Sequence, residues 1–177
     1  MATVLVTGAN RGIGLEYCRQ LSVRGDHVIA VCRKASRELG SLGVQIEAGI
    51  ELTEASALDE LMSRLQSQCL DGVILNAGIL HSNALNNLDV EAIRQQFEIN
   101  ALAPLRLVSA LTSNLSSGSW IALMTSRMGS IADNSSGGSY GYRMSKAALN
   151  IAGKSLAIDL KPQGIAVVIL HPGLVAT

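Results

Sequence analysis

The stretch Thr3–Gly14, TVLVTGANRGIG, carries the clearest signal of architecture in the chain. A short, continuous apolar strand, Thr3 to Thr7, runs into a glycine-rich turn that opens a helix. Gly8, Gly12 and Gly14 are spaced GxxxGxG, with Asn10, Arg11 and Ile13 between them. Gly8 permits a tight turn, Gly12 lets the backbone approach a pyrophosphate without a Cβ in the way, and Gly14 lets helix and strand touch. The helix N-terminus behind the turn offers oriented N–H groups and partial positive charge to phosphates. Three glycines alone are equally consistent with a packing turn. Their position, directly after a first strand and opening a first helix, is what makes them a dinucleotide-binding fingerprint.

Outward from that turn, strand and helix alternate. Gly12 to Arg24 reads as a helix, with Ile13, Tyr17 and Leu21 on one face and Gly25 as its stop. His27 to Cys32 is a second strand, and the polar residues 33–43 form a loop or a short broken helix. A weaker strand follows at Val44 to Ala48, then a helix from Ser56 to Gln68 and a strand from Gly72 to Leu75. Helical periodicity runs from about Val90 to Leu115, interrupted near Pro104, and Trp120 to Thr125 is a fifth strand. After a Gly/Ser-rich loop, Ser139 is placed to cap a helix reaching Lys161, and Ala166 to Leu170 is the sixth strand. This order predicts an α/β, Rossmann-type, doubly wound parallel sheet with helices on both faces. Its ligand crevice lies at the carboxyl ends of the strands.

Composition agrees. Hydrophobic residues make up 48% and charged residues 16% of the 177, while aromatics are 3%, so the core must be Leu, Ile, Val and Ala. That suits buried parallel strands in one domain spanning residues 1–177. Net charge is zero with no long run of one sign, which gives no basis for a nucleic-acid partner. Cys18, Cys32 and Cys69 each lie in apolar stretches without a CxxC pair, and read as small buried hydrophobes in a reducing compartment. With no apolar run near the roughly 18 residues of a membrane span and no leader before the first strand, the expectation is a soluble, cytoplasmic protein.

The second strand ends in Cys32–Arg33–Lys34, where NAD binders usually carry an acidic residue about 20 residues past the fingerprint. A carboxylate there would repel a 2′-phosphate, whereas Arg33 can grip one with forked, charge-assisted bonds. Arg11 is a second candidate, so NADP(H) is favoured over NAD(H). Ordinary solvated cations at a strand end are the plainer alternative. Tyr142 and Lys146 stand four apart in YGYRMSK, one turn apart on a helix face. An ammonium beside a phenol favours the phenolate and suits the tyrosine to acid–base work. Tyr140 has Met144 at the corresponding position, so the pairing selects Tyr142. Ser126 lies just past the fifth strand, but Thr125, Ser130 and Ser139 are nearby and physics alone does not choose among them. Asn100, inside a helix, and Asn76, in the Asn76–Ala77–Gly78 turn after the fourth strand, are equally open.

Taken together, these residues resemble the short-chain dehydrogenase/reductase family. The likeness covers Thr3 to Thr177 and rests on TGANRGIG at 7–14, NAG at 76–78, Asn100, Ser126, YxxxK at 142–146 and PG at 172–173. The Gly/Ser/Asn-rich segment between Ser126 and Tyr142 is similar to the branch of C-factor-like and sniffer-like carbonyl reductases. The resemblance implies Tyr142 as general acid/base and Lys146 as the group that lowers its pKa and binds the nicotinamide ribose. It further implies that Ser126 polarises the substrate carbonyl and that Asn100 positions a water. Asn76, Ala77 and Gly78 would contact the cofactor backbone, and Pro172, Gly173 and Val175 would lie beside the nicotinamide. Glu51–Leu52 stands where the family usually has Asp–Val near the adenine. The family usually continues some 50 or more residues past the PG turn, so the sheet is expected to lack the family's seventh strand and substrate loop. The implied substrate is a small-molecule carbonyl or alcohol, and the implied assembly a homodimer or homotetramer. The alternative is a catalytically weak or regulatory protein that keeps the nucleotide-binding fold.

Overall fold

The computed structural model describes residues 1–66 and 68–175. Its strands are β1 (Thr3–Thr7), β2 (His27–Cys32), β3 (Gln45–Ala48), β4 (Leu70–Leu75), β5 (Leu115–Met124) and β6 (Ala166–Leu170). They form one parallel sheet in the order β3-β2-β1-β4-β5-β6. The strand order reverses between β1 and β4, the place where a doubly wound sheet opens a crevice at its carboxyl edge.

The helices are α1 (Gly12–Val23), α2 (Arg37–Gly40), α3 (Ala55–Leu65), α4 (Val90–Phe97), α5 (Ala103–Leu111) and α6 (Tyr140–Asp159). Because side chains alternate along a strand, each strand feeds two cores. Leu5, Ile29, Val73 and Ile121 pack against Leu61 of α3, Leu107 of α5 and Leu149 of α6. Their neighbours Val4, Val6, Val28 and Ala30 face Cys18 and Leu21 of α1 and Leu39 of α2. Burial on both faces is why these strands read as continuous apolar runs.

Several elements depart from the sequence expectations. The Val90–Leu115 helix is broken by a π-helical turn, Glu98–Leu102, not by Pro104. Pro104 sits in the first turn of α5, where its missing N–H has no helical partner to lose. α3 stops at Leu65, and the expected extension to Gln68 crosses Ser67, which lies outside the described residues. β5 begins five residues before Trp120, joining Leu70 at Leu115 through a register shift. Cys18 and Cys32 are buried as expected, whereas Cys69 is exposed at the approach to β4.

Ser139 does not cap α6 with its side chain. It adopts a left-handed conformation, φ 47°, and Asn83 takes over the task. Asn83 Oδ1 accepts from Tyr140 N at 2.8 Å, and its carbonyl accepts from Ser139 N at 2.8 Å. The cap is thus supplied from a distant loop, which no local reading reveals.

Candidate active site

The glycine-rich turn is held by β4. Thr7 Oγ1 accepts from Asn76 N at 3.0 Å and Ala77 N at 3.1 Å. Asn76 Nδ2 donates back to Thr7 O at 3.1 Å and Gly8 O at 3.3 Å. The fit leaves no room for side chains. A Cβ on Gly14 would stand 2.2 Å from Gly8 O, and one on Gly8, where φ is +65°, 2.9 Å from Ala77 Cα. Asn76 is therefore a staple across the switch point. Thr7, the last residue of β1, is its partner, and nothing local in the sequence marks that role.

Gly8, Asn10, Arg11, Gly12 and Ile13, after β1, line a cleft of about 250 Å³. Asn76, Ala77 and Gly78, after β4, and Arg33, Glu51 and Leu52, after β2 and β3, line it too, on strands that flank β1 in the sheet order. Gly14 lies behind this lining, buried against Gly8. Arg33 lines this cleft, its side chain is 72% exposed, and it meets Glu51 Oε2 only at 3.5 Å, so most of it lies in solvent. Glu51 Oε1 also accepts from Thr53 Oγ1 at 3.2 Å. A narrow turn of bare backbone at a helix N-terminus, with two guanidiniums along the cleft, fits a phosphate-bearing dinucleotide.

A second chamber of about 520 Å³ shares Arg11, Ile13, Asn76, Gly78 and Ile79 with the first. It adds Leu80, His81, Met124, Thr125, Tyr142, Lys146 and Pro172. Gly173 and Val175 follow Pro172 at an exposed end of the described chain. Ser126 starts a 3₁₀ turn, Arg127–Gly129, its Oγ accepting from Met128 N at 3.2 Å. A Cβ on Gly129 would meet the Lys146 carbonyl carbon at 2.8 Å, so this turn seats directly on α6.

Lys146 is 4% exposed and donates from Nζ to Met124 O at 2.8 Å. Its ammonium lies 5.7 Å from the centre of the Tyr142 ring. Burial lowers the lysine pKa to about 8. Burial also raises Tyr142, with a hydrogen bond involving Ser126 pulling the other way. The i, i+4 spacing alone predicts that Lys146 depresses Tyr142. In this structure desolvation dominates both groups, because each gives up water for a largely apolar setting. At neutral pH the phenol therefore holds its proton.

Asn100 sits in the π-helical turn, fully buried. Its Oδ1 accepts from Ile79 N at 2.8 Å, and Nδ2 donates to Ile79 O at 2.9 Å and to Ser145 Oγ at 3.0 Å. The amide thus grips the backbone just beyond Gly78, where a Cβ would lie 3.1 Å from its Oδ1 and 3.6 Å from Lys146 Nζ. π turns recur at functional sites, and here one aims a polar side chain inward.

A parallel sheet with a nucleotide cleft at its switch point and a tyrosine–lysine pair beside it defines the class: a Rossmann-type protein with the equipment of an oxidoreductase. The family model for short chain dehydrogenase matches residues 2–177. The chain belongs to the short-chain dehydrogenase/reductase family. It is 42% identical over 179 residues to 1-hydroxy-2-glutathionyl-2-methyl-3-butene dehydrogenase of Rhodococcus sp. (strain AD45), covering 100% of this chain and 79% of that one. It is 49% identical over 111 residues to C-signal of Myxococcus xanthus, covering 61% of this chain and 67% of the relative. Among solved structures, a carbonyl reductase from Pseudomonas aeruginosa PAO1 in complex with NADP superposes with a TM-score of 0.88 at 34% identity, covering 99% of this chain and 84% of that one. No helix among the described residues is long and apolar enough to cross a membrane.

Proposed function

We propose that this chain is an NADP(H)-dependent oxidoreductase that interconverts a small-molecule carbonyl and its alcohol. The observation that carries this reading is the shared wall of the two chambers, which brings Tyr142 and Lys146 to the same space as Arg11, Ile13, Asn76 and Gly78. When bound, the dinucleotide supplies or accepts the hydride at its nicotinamide. The Gly8–Gly14 turn receives its pyrophosphate, Arg33 and Arg11 its 2′-phosphate, and Glu51 and Leu52 border its adenine. Asn76, Ala77 and Gly78 support its backbone, with Pro172, Gly173 and Val175 on the nicotinamide side.

Tyr142 is the proton donor in reduction. Its raised pKa keeps the phenol protonated until an alkoxide develops, when transfer becomes favourable. Ser126 donates to the same substrate oxygen. Lys146 spends one N–H on Met124 O and has two for the cofactor ribose and the tyrosine. Asn100 holds the segment beneath them.

The test is Tyr142→Phe, which should abolish NADPH-dependent carbonyl reduction while NADPH still binds. Turnover near the wild-type rate in that variant would overturn the assignment. The similarity to C-signal favours one second reading, a regulatory chain that acts by binding. Tight NADPH binding without turnover of any carbonyl in the wild type would support it. We further propose one domain over residues 1–177, a cytoplasmic location, and a homodimer or homotetramer. Exposed Leu105 on α5 and Ile151 and Ile158 on α6 supply apolar surface for such an interface.

A further inference from the structure

Residues 76–83 leave β4 without regular secondary structure, and Asn76 and Gly78 to His81 line the second chamber. A segment in that position has lost the neighbouring strand that would satisfy its backbone, and every buried N–H and C=O needs another partner. Side chains supply it in sequence. Thr7 takes the N–H groups of Asn76 and Ala77, and Asn100 takes both backbone groups of Ile79. The last contact falls to Gln96, a residue none of the site motifs contains. Gln96 is fully buried, and its Oε1 accepts from His81 N at 2.9 Å. Its own Nε2 is anchored on Ala92 O at 3.2 Å, so the amide has one orientation.

Two further features tie Gln96 to the site. It precedes Asn100 by four residues, so the two amides lie one turn apart and grip alternate residues, 79 and 81. It is also wedged against α6 beside the tyrosine, for a Cβ on Gly141 would stand 2.4 Å from its Nε2. Ile79, Leu80 and His81, the stretch held by this pair, all line the chamber that contains Tyr142 and Lys146.

We propose that Gln96 is a positioning residue for substrate selection: it fixes the Ile79–His81 wall and so sets the width of the space for the part of a carbonyl substrate beyond its reacting carbon. That wall is apolar at Ile79 and Leu80 and ends in an imidazole, which suits a substrate with an apolar body and a polar far end. The inference rests on the oxidoreductase reading above. Gln96 touches neither cofactor cleft nor tyrosine hydroxyl in its hydrogen bonding, so its loss should act on substrate binding more than on the chemical step.

Gln96→Met keeps the volume and removes the acceptor. Gln96→Glu keeps an acceptor for His81 N–H. Three readouts are compared with wild type: NADPH affinity, kcat and KM for propanal and benzaldehyde, and amide hydrogen exchange at His81. In Gln96→Met we expect exchange at His81 to accelerate about 100-fold. KM should rise about tenfold and unequally for the two aldehydes, with kcat and NADPH affinity each changed less than about threefold, because Asn100 still holds Ile79, the residue of this wall that the cofactor cleft shares. Gln96→Glu should restore most of the exchange protection and of the KM. A Gln96→Met protein with wild-type exchange and an unaltered aldehyde preference would overturn the proposal, as would equal losses in kcat for both aldehydes. Should Gln96→Met not fold, Gln96→Glu against Gln96→Asn, whose shorter amide falls short of His81, gives the same comparison. Failure of the wild type itself to reduce either aldehyde counts against the oxidoreductase reading; exchange at His81 then decides the clamp alone.

Discussion

Arg33 and Lys146 show how two cations of one site do different work. Arg33 is a solvated fork at the end of β2, tied to Glu51 only weakly at 3.5 Å. Its replacement by Ala should weaken NADPH binding about tenfold with little effect on NADH, because one exposed charge-assisted contact is lost. Equal weakening of both cofactors by calorimetry would remove Arg33 from the 2′-phosphate site. Lys146 instead is buried with its pKa down at about 8. The unfolded chain then binds the extra proton between pH 8 and the ordinary lysine value near 10.5, so folding stability gained from Lys146 rises with pH across that window. Cys18, pushed up to about 12 by burial, acts oppositely above the ordinary thiol value near 9. Comparing wild type with Lys146→Met cancels the thiols. The difference in denaturant stability should shift in favour of wild type by about 3 kcal/mol at most between pH 7.5 and 10.5. A flat difference would mean the lysine is not desolvated.

At the scale of elements, the site depends on where turns seat on helices. The Arg127–Gly129 turn rests on α6 because Gly129 has no side chain, its hypothetical Cβ lying 2.8 Å from Lys146 C and 3.0 Å from Ala147 N. These are backbone atoms in mid-helix and have nowhere to go. Gly129→Ala should cost about 1–3 kcal/mol of stability and, by moving Ser126 off Tyr142, lower kcat more than it raises KM for NADPH. Wild-type kcat in a well-folded Gly129→Ala protein would show that Ser126 is not positioned by this contact. The π-helical turn makes the same point. Its extra residue rotates Asn100 inward to Ile79 and Ser145, which a regular helix through Pro104 would not do.

For the molecule as a whole, the cleft draws on the carboxyl ends of β1, β2 and β4, and the chamber on those of β4, β5 and β6. A ligand spanning both bridges most of the sheet, so its binding should stabilise the entire cooperative fold. At a free NADPH concentration 100 times its Kd the gain is about 2.7 kcal/mol, readable as a rise in Tm, and NADH at the same concentration should give less. No rise with either nucleotide would contradict the functional reading at its root. Toward the far edge, β6 keeps Val168, Ile169 and Leu170 between 36% and 44% exposed, in contrast to the central strands.

The order of elements, the parallel sheet, the glycine turn and the pairing of Tyr142 with Lys146 are all legible in the chain before it folds. Each of these is written in local pattern: apolar runs of strand length, helical spacing, glycine where a Cβ cannot fit. β1, β2 and β6 fall on the residues that periodicity assigns them. The features that local pattern leaves open are long-range. Asn83 caps α6 across 57 residues, Thr7 is joined to Asn76 across 69, and Gln96 holds His81 across 15. Hydrogen-bond partners of this kind follow from where the fold brings chain segments together, and no residue carries a local mark of its distant partner. The direction of the Tyr142 and Lys146 pKa shifts belongs to the same class. Spacing places the two side chains on one helix face, but burial by the whole fold sets the solvation that governs their protons.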